Sequence, residues 1–198
     1  MANVIKLRKG LDINLKGKAN FETIRRIDSS EIALVPDSFG GVMPKVIVRE
    51  GDCVKAGDAL FVDKKYPEMK FASPISGTVK AVVRGERRKV LYVKVKAEET
   101  QQFVDFGIKD IAKLDGKAIK EALLASGLFS FIQQLPYAMT TTPDTMPKAI
   151  FVSAFRDMPL ASDFEVELKG NEKDFQTGLT ALSKIQKTYL GLSVHQTA

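Results

Sequence analysis

The side chains with the most evident chemistry are three lysines between residues 51 and 77. Lys64 and Lys65 follow an apolar run, and Lys70 lies in the motif E-M-K-F. An exposed lysine amine at the tip of a β-hairpin can hold a prosthetic group through an amide bond. The chemistry of this segment therefore depends on whether one of these lysines lies at a hairpin tip.

The turns on either side of these lysines resemble those of the carrier domains that bind biotin or lipoate. Residues 51–60 read G-D-C-V-K-A-G-D-A-L, and residues 72–79 read A-S-P-I-S-G-T-V. In such carriers the acceptor lysine lies about seven residues after the leucine of the first motif and about eight before the proline of the second. Both counts end here at Tyr66-Pro67, a turn dipeptide without an amine. We therefore expect a carrier scaffold with no covalently bound prosthetic group.

The cysteine and histidine content excludes several classes of redox and metal site. Cys53 is the only cysteine and His195 the only histidine, too few for a zinc site or an iron–sulfur cluster. At a glycine turn, Cys53 is interpreted as structural rather than reactive. A strand or surface role is the favoured interpretation of His195, ahead of a proton donor. A single cysteine excludes an internal disulfide, and the sequence lacks an apolar run of ~18 residues and a signal-peptide core. Together these features favour a reducing, cytoplasmic compartment.

Positive charge is concentrated in one predicted hairpin. The formal net charge is +6, and between residues 80 and 96 only Glu86 opposes the basic side chains. These are Lys80, Arg84, Arg87, Arg88, Lys89, Lys94 and Lys96. Such a run is ordinarily a solvated surface, and its functional interpretation is docking to an acidic partner or anionic headgroups. Nucleic acid is disfavoured because only Tyr92 is interleaved with the charges. We predict partner docking by Lys80, Arg84, Arg87, Arg88 and Lys89.

Short strands separated by glycine turns dominate the first half of the chain. Residues 1–28 predict a paired-strand lead-in, since apolar and polar residues alternate there. The further strands are predicted at residues 31–35, 45–49, 59–63, 70–73, 77–84 and 90–96. Strands of this length and spacing predict a small antiparallel barrel or sandwich, to which we assign residues 1–99.

The pattern changes to helices and apolar strands after residue 99. Residues 110–128 have helical periodicity with Gly127 as C-cap, and the Pro/Thr-rich residues 135–147 predict no regular element. We assign residues 100–147 to a helical and irregular connection. Residues 148–155 predict a buried parallel strand, residues 171–190 a helix closed by Gly191, and residues 192–195 the next strand. Two strands cannot cover the faces of a parallel sheet, so residues 148–198 are expected to begin a truncated α/β domain.

Six segments occur in a characteristic order along the chain. They are KLRKGLDINLKG, PKVIVREGDCVKAGDALFVDKK, KFASPISGTV, RGERRKVL, SGLFSF and IFVSAFRDMPLASD. This series resembles the amino-terminal part of the A-subunit family of the Na⁺-translocating NADH:quinone reductase. The resemblance implies a multidomain α+β protein. An all-β barrel-sandwich hybrid of biotinyl/lipoyl type without the acceptor lysine comes first, and the start of a Rossmann-like α/β domain follows.

The resemblance also implies a function without catalytic residues in this chain. It implies a peripheral component on the cytoplasmic face of the inner bacterial membrane, bound to the membrane-embedded subunits of a complex that oxidises NADH, reduces quinone and pumps sodium. Neither flavin nor iron–sulfur cluster is expected in this chain. A biotinyl/lipoyl-type carrier domain is one alternative, disfavoured by the missing tip lysine. An independent nucleotide-binding α/β protein is another, disfavoured because R-D-M-P-L-A-S-D-F-E, without G-x-G-x-x-G, follows the predicted strand.

Four residues are candidates for contact with quinone or another ligand. Arg156 and Asp157 follow the predicted strand at residues 148–155, at the end where α/β sheets bind ligands. Phe129 and Tyr137 could line an apolar groove, although core packing is the commoner role of aromatic side chains. We predict ligand contact by this set.

Overall fold

The structure is a computed structural model. It describes residues 15–17, 27–107, 110–156, 158–193 and 196. The lead-in strands predicted before residue 15, together with Asp157 and His195, lie outside the described residues. Among the residues that are described, no helix is both long and apolar enough to cross a membrane.

The first part of the chain consists of short antiparallel strands in two sheets. In chain order the strands are β1 (Glu31–Leu34), β2 (Pro44–Val46), β3 (Cys53–Val54), β4 (Ala59–Asp63), β5 (Lys70–Ala72), β6 (Gly77–Arg84) and β7 (Val90–Ala97). One sheet has the order β1-β7-β6-β3 and the other the order β2-β4-β5. The strands predicted at 59–63 and 77–84 are confirmed with the same bounds. The strand predicted at 45–49 is shorter, because Asp52 accepts a hydrogen bond from Arg49 N at 2.7 Å and turns the chain there.

Side chains from both sheets meet in one hydrophobic core. Its buried members are Val54, Leu60, Phe61, Met69, Phe71, Val79, Val93 and Val95. The Phe61 and Phe71 rings stack with centroids 4.6 Å apart, and Phe39 packs edge-on against Phe71 at 4.7 Å. Full burial of Phe61 and of Phe71 each stabilises the fold by about 1.5–3 kcal/mol. Val93 and Val95 supply this core from alternate positions of β7, whereas β4 supplies the consecutive Leu60 and Phe61.

One glycine of the A-S-P-I-S-G-T-V motif is required by a close approach between strands. Gly77 begins β6 and pairs with Ala97 of β7 and with Val54 of β3. A Cβ atom at Gly77 would lie 1.9 Å from the backbone oxygen of Lys96. No side chain fits at this point without moving the β6–β7 ladder.

Helix α1 (Gly116–Ser126) begins the second part of the chain. Asp115 caps its first turn by accepting from Ala118 N at 2.8 Å, and Gly127 ends it in the left-handed region at φ 78°. The predicted helix and its glycine cap are thus confirmed. The helix starts later than residue 110, because Asp110 instead caps a separate 3₁₀ turn.

A short β-hairpin follows α1. Its second strand lies within residues 135–147, for which the sequence predicts no regular element. Its strands are β8 (Gln133–Gln134) and β9 (Met139–Thr140). Thr141 N donates to Ile132 O at 2.8 Å, and Thr140 N donates to Gly40 O of the first part at 3.0 Å. The prediction of an irregular connection is wrong for residues 139 and 140, since backbone pairing outweighs the polar composition there.

A parallel pair of strands forms the last part, together with two helices. The elements are β10 (Ile150–Ser153), α2 (Phe164–Leu168), α3 (Glu172–Ile185) and β11 (Thr188–Gly191). Two predictions are wrong here: the helix at 171–190 ends at Ile185, and Gly191 lies in β11 instead of capping the helix. Of the strand predicted at 192–195, residues 192 and 193 are not in a strand, and residues 194 and 195 lie outside the described residues. β-Branched Thr188 and aromatic Tyr189 favour the strand that pairs with β10. The expected buried strand has one open face, where Phe151 is 70% exposed and stacks on Tyr189 at 5.4 Å.

Candidate functional site

The tip of the β4–β5 hairpin is a tight turn without a lysine. Met69 N donates to Tyr66 O at 2.9 Å, which places Pro67 and Glu68 at the centre of the turn. The predicted turn at Tyr66-Pro67 is confirmed, and Lys70 begins the returning strand β5. At the position where a carrier presents its acceptor amine, this chain has a rigid proline.

Asp63 holds the backbone around this tip. Its Oδ1 atom accepts from Lys65 N at 2.7 Å and from Tyr66 N at 3.0 Å, and its Oδ2 atom accepts from Met43 N at 2.8 Å. The residue is only 5% exposed. A buried carboxylate is stable when its oxygens are satisfied by donors, and here each bond also fixes a loop. Asp63 thus joins the tip to the segment that leads into β2.

Tyr66 connects the tip to the second part of the chain. Its hydroxyl donates to Asp144 Oδ2 at 2.7 Å, and Thr142 donates a short hydrogen bond to the same carboxylate. The ammonium of Lys65 lies 5.0 Å from the centroid of the Tyr66 ring, within the range of a cation–π contact. The tip is therefore held by side chains from 78 residues further along the chain.

The surroundings of the tip favour the charged forms of Asp144 and Lys65. The Thr142 hydroxyl, followed by that of Tyr66, lowers the pKa of Asp144. The Tyr66 hydroxyl raises the pKa of Lys65, with smaller contributions from nearby Asp144 and Asp63. At neutral pH the tip therefore carries the positive charge of Lys65 and the negative charge of Asp144.

A shallow cavity lies between the tip and the second part of the chain. It measures about 160 Å³. Its lining consists of Gly41, Val42, Met43, Asp63, Lys65, Tyr66, Met69, Thr140 and Thr142. Pockets for cofactors and drug-sized ligands usually measure about 300–1,000 Å³, so this one suits a few water molecules better than a quinone or a nucleotide. We interpret it as part of the contact that holds the hairpin tip.

The second candidate region is the basic turn, defined as residues 84–89 between β6 and β7. Lys89 forms an ion pair with Asp37 at 2.6 Å, and Lys80 of the adjoining strand pairs with Glu31. The exposed Arg87 and Arg88 have φ angles of 52° and 61°, a left-handed conformation that is uncommon for residues other than glycine.

The three arginines of the basic turn differ from its lysines in their partners. Arg84 donates to the backbone oxygen of Arg88 at 3.3 Å. No ion pair links Arg84, Arg87 or Arg88 to an acidic residue within the described ranges, whereas Lys80 and Lys89 are paired. Of the five predicted docking residues, Lys80 and Lys89 thus have an acidic partner among the described residues and the three arginines have none there. Their docking role stays a prediction.

Three of the four predicted ligand-contact residues lie in the described part of the chain, each in a different environment. Arg156 follows β10 and donates to Glu167 Oε1 at 2.8 Å and to Ser162 Oγ at 2.5 Å. Phe129 is buried, with Lys120 5.8 Å from its ring centroid. Tyr137 lies in the β8–β9 turn and is 83% exposed. No hydrogen bond or ring contact among described residues joins Arg156 to either aromatic, and their ligand roles stay predictions.

Sequence reasoning missed the residues that hold the hairpin tip. Asp63 carries a local signal, because an aspartate directly before a turn often accepts from backbone groups two or three residues later. Asp144 and Thr142 carry none, since only the fold brings them to Tyr66. Within the part of the chain that the structure describes, no cluster of three or more His, Cys, Asp or Glu side chains could hold a metal ion.

Two family models match the chain in succession. Residues 5–98 match the NqrA N-terminal barrel-sandwich hybrid domain, and residues 114–198 match the NqrA second alpha/beta domain. These matches confirm the expected fold class, a barrel-sandwich hybrid followed by an α/β domain. The assigned domain boundaries at 99 and 147 stay predictions.

Curated relatives are similar over nearly the whole chain. The Na(+)-translocating NADH-quinone reductase A-subunit of Histophilus somni (strain 2336) is 36% identical over 191 residues, which cover 96% of this chain and 43% of the relative. The corresponding proteins of Actinobacillus pleuropneumoniae serotype 5b (strain L20) and Yersinia pseudotuberculosis serotype O:1b (strain IP 31758) are 37% and 36% identical, over 92% of this chain and 41% of their own length. The chain thus spans about two fifths of the length of the relatives it matches. It belongs to the NqrA family, the A-subunits of the Na⁺-translocating NADH-quinone reductase.

Proposed function

We propose that the chain is a peripheral, non-catalytic part of a sodium-pumping NADH:quinone reductase, docked on the membrane-embedded subunits at the cytoplasmic face of the inner membrane. The relatives that support this proposal carry the name of that complex. NADH and quinone belong to the complex as a whole, and we propose no flavin, iron–sulfur centre or covalent cofactor for this chain. The role of the chain is to provide fixed surfaces for assembly.

The observation that carries this proposal is the fixed hairpin tip. A carrier domain needs an exposed lysine on a tip that can visit successive active sites. Here the turn contains Pro67 and Glu68, Asp63 accepts three backbone hydrogen bonds, and Tyr66 is bonded to Asp144. This arrangement favours a static docking module over a carrier. Intact mass measured after expression with active biotin and lipoate ligases tests the alternative, since an added prosthetic group would contradict our proposal.

The basic turn is the proposed docking surface. Reversing the charges of Arg84, Arg87 and Arg88 to Glu should weaken assembly with the purified membrane subunits in neutral detergent, increasingly so at low salt. Each charge near an anionic surface contributes up to ~1 kcal/mol. The matched control reverses three exposed lysines elsewhere. These are Lys117, Lys169 and Lys173. Unchanged assembly of the arginine variant, with an intact circular dichroism spectrum, would sink the docking proposal.

Quinone contact is a separate part of the proposal. Of the candidates Arg156, Asp157, Phe129 and Tyr137, the exposed Tyr137 is the most accessible to a ligand or partner in the described part of the chain. A photoreactive quinone analogue applied to the intact complex should label peptides containing these residues. Label confined to other subunits would remove this chain from the quinone site. We expect no saturable NADH binding to the chain alone, since it lacks the dinucleotide fingerprint.

A further inference from the structure

The basic turn and the β8–β9 hairpin are attached to the same short segment of the chain. Lys89 Nζ lies 2.6 Å from Asp37 Oδ2, which ties the basic turn to this segment. Three residues later, Gly40 O accepts from Thr140 N of the hairpin at 3.0 Å. Because each residue spans at most about 3.6 Å, the α-carbons of Asp37 and Gly40 lie within about 11 Å of each other. The contacts that attach the two features to this segment therefore lie close together.

The hairpin exposes apolar side chains that have no charged neighbour in sequence. Leu135 and Tyr137 in its turn are 73% and 83% exposed. Phe131, just before β8, is 70% exposed although its ring packs edge-on against Phe39 with centroids 5.8 Å apart. The segment from residue 128 to residue 142 contains no Asp, Glu, Lys or Arg. Single exposed apolar residues are ordinary, whereas a cluster of this kind marks a contact surface.

The apolar hairpin and the exposed arginines match the two chemical layers of a lipid surface. Leucine and phenylalanine side chains partition into the acyl boundary of a bilayer, and tyrosine prefers the headgroup level, where its ring is apolar and its hydroxyl hydrated. Arginine guanidinium groups bind phosphate oxygens. An apolar hairpin beside exposed arginines thus matches a lipid surface with anionic headgroups.

We propose that the basic turn and the β8–β9 hairpin together bind an anionic lipid bilayer. An apolar segment or a basic patch alone attaches a protein only marginally to a membrane. Stable attachment requires two such features, here the apolar hairpin and the basic turn. A hairpin of eight residues is small for a stable protein–protein interface, which buries about 1,200 Å² or more. A bilayer needs no such area. The inference extends the proposed peripheral location and is tested without the other subunits.

The test uses the full chain and vesicles. Phosphatidylcholine vesicles containing about one third phosphatidylglycerol should carry the chain upward in a flotation gradient, whereas pure phosphatidylcholine should not, because the charge contribution is lost. The chain contains no tryptophan, so a Tyr137→Trp variant reports on the hairpin alone. Its emission should shift to shorter wavelength when the anionic vesicles are added.

Two double variants separate the contributions. Leu135→Ser with Tyr137→Ser should lower the partition coefficient about tenfold or more, because the inserted apolar surface is removed. Arg87→Asn with Arg88→Asn should lower it about 25-fold, since each charge contributes a factor of about five. Asparagine is chosen because it tolerates the positive φ angles of these positions. Control variants remove exposed apolar and exposed basic side chains elsewhere, namely Met158→Ser with Leu160→Ser, and Lys169→Asn with Lys173→Asn.

Three outcomes would overturn the proposal. The first is that the wild-type chain fails to float with anionic vesicles. The second is that the arginine pair matters while the hairpin pair does not, which would reduce the surface to unspecific charge attraction. The third is that the hairpin variant disrupts assembly with the membrane subunits but leaves vesicle binding intact, which would assign the hairpin to a protein partner. Docking to the other subunits through the basic turn is judged independently in detergent, where no bilayer is present.

Discussion

Replacement of Asp63 by Ala tests whether one carboxylate organises the hairpin tip. The side chain is 5% exposed and accepts hydrogen bonds from the backbone of Met43, Lys65 and Tyr66 at 2.7–3.0 Å. Alanine leaves these three donors without their acceptor. Since the tip borders solvent, water can reach part of the vacated space, while Met43 N loses the bond that joins the hairpin to the segment before β2.

The size of the effect follows from the number of bonds lost. Each hydrogen bond contributes about 0.5–1.5 kcal/mol net, more when the acceptor is charged. Three bonds therefore predict a loss of about 2–5 kcal/mol in the free energy of unfolding. Asp52 and Asp58 offer internal controls, because the side chain of each accepts one backbone hydrogen bond at 2.7 Å within the same barrel. Their alanine variants should each lose about 1 kcal/mol.

Urea unfolding followed by circular dichroism measures these differences. Asp63→Asn keeps one carbonyl oxygen and should fall between the wild type and Asp63→Ala. Hydrogen exchange should accelerate at the amides of Lys65 and Tyr66 in the Asp63→Ala variant before the rest of the barrel is affected. If Asp63→Ala loses no more stability than Asp52→Ala or Asp58→Ala, the carboxylate does not organise the tip and the reasoning fails.

Three further predictions concern the barrel and its connection to α1. Gly77→Ala should destabilise the fold by at least ~2 kcal/mol in urea unfolding, since its Cβ would lie 1.9 Å from Lys96 O; a value below ~0.5 kcal/mol would mean that the ladder yields freely. Hydrogen bonds from Lys80 and Lys94 lower the pKa of Glu31 from 4.5 to about 2, so its stabilising effect should be complete above pH 4.5 and lost as pH falls toward 2. Glu31→Gln should flatten the plot of melting temperature against pH in that window. If the melting temperature of the variant falls with pH as steeply as that of the wild type, Glu31 is not the group responsible. Gly127→Ala should cost about 1–2 kcal/mol because its φ of 78° is left-handed, and an unchanged urea midpoint would contradict this.

Local patterns predicted the barrel well because its determinants are local. Strand β4 is a short apolar run between Gly57-Asp58 and the turn at Tyr66-Pro67, and strand β6 lies between Ser76-Gly77 and Gly85, so their bounds could be read from the sequence. The turn at Tyr66-Pro67 followed from counting residues between two motifs. Its attachment could not be predicted, because Asp144 reaches Tyr66 only through the fold of the 78 intervening residues.

The end of α3 shows how tertiary pairing overrides a periodic pattern. Leu182, Ile185 and Tyr189 continue the helical spacing, and neither glycine nor proline interrupts it before Gly191. The helix nevertheless ends at Ile185, because the following residues gain a parallel partner in β10. That gain depends on a strand located about 35 residues earlier, which no window of the sequence near residue 185 contains.

The ring of Phe39 has a consequence for how the molecule unfolds. It contacts Phe61 and Phe71 of the barrel at 6.5 and 4.7 Å, and Phe131 ahead of the β8–β9 hairpin at 5.8 Å. Leu124 of α1 also packs against the barrel core. The hydrophobic core therefore crosses the boundary between the two family-model matches. The barrel and the α1–β9 segment should melt in one cooperative transition, and a barrel cut off after residue 98 should unfold at a lower temperature than the same barrel in the whole chain.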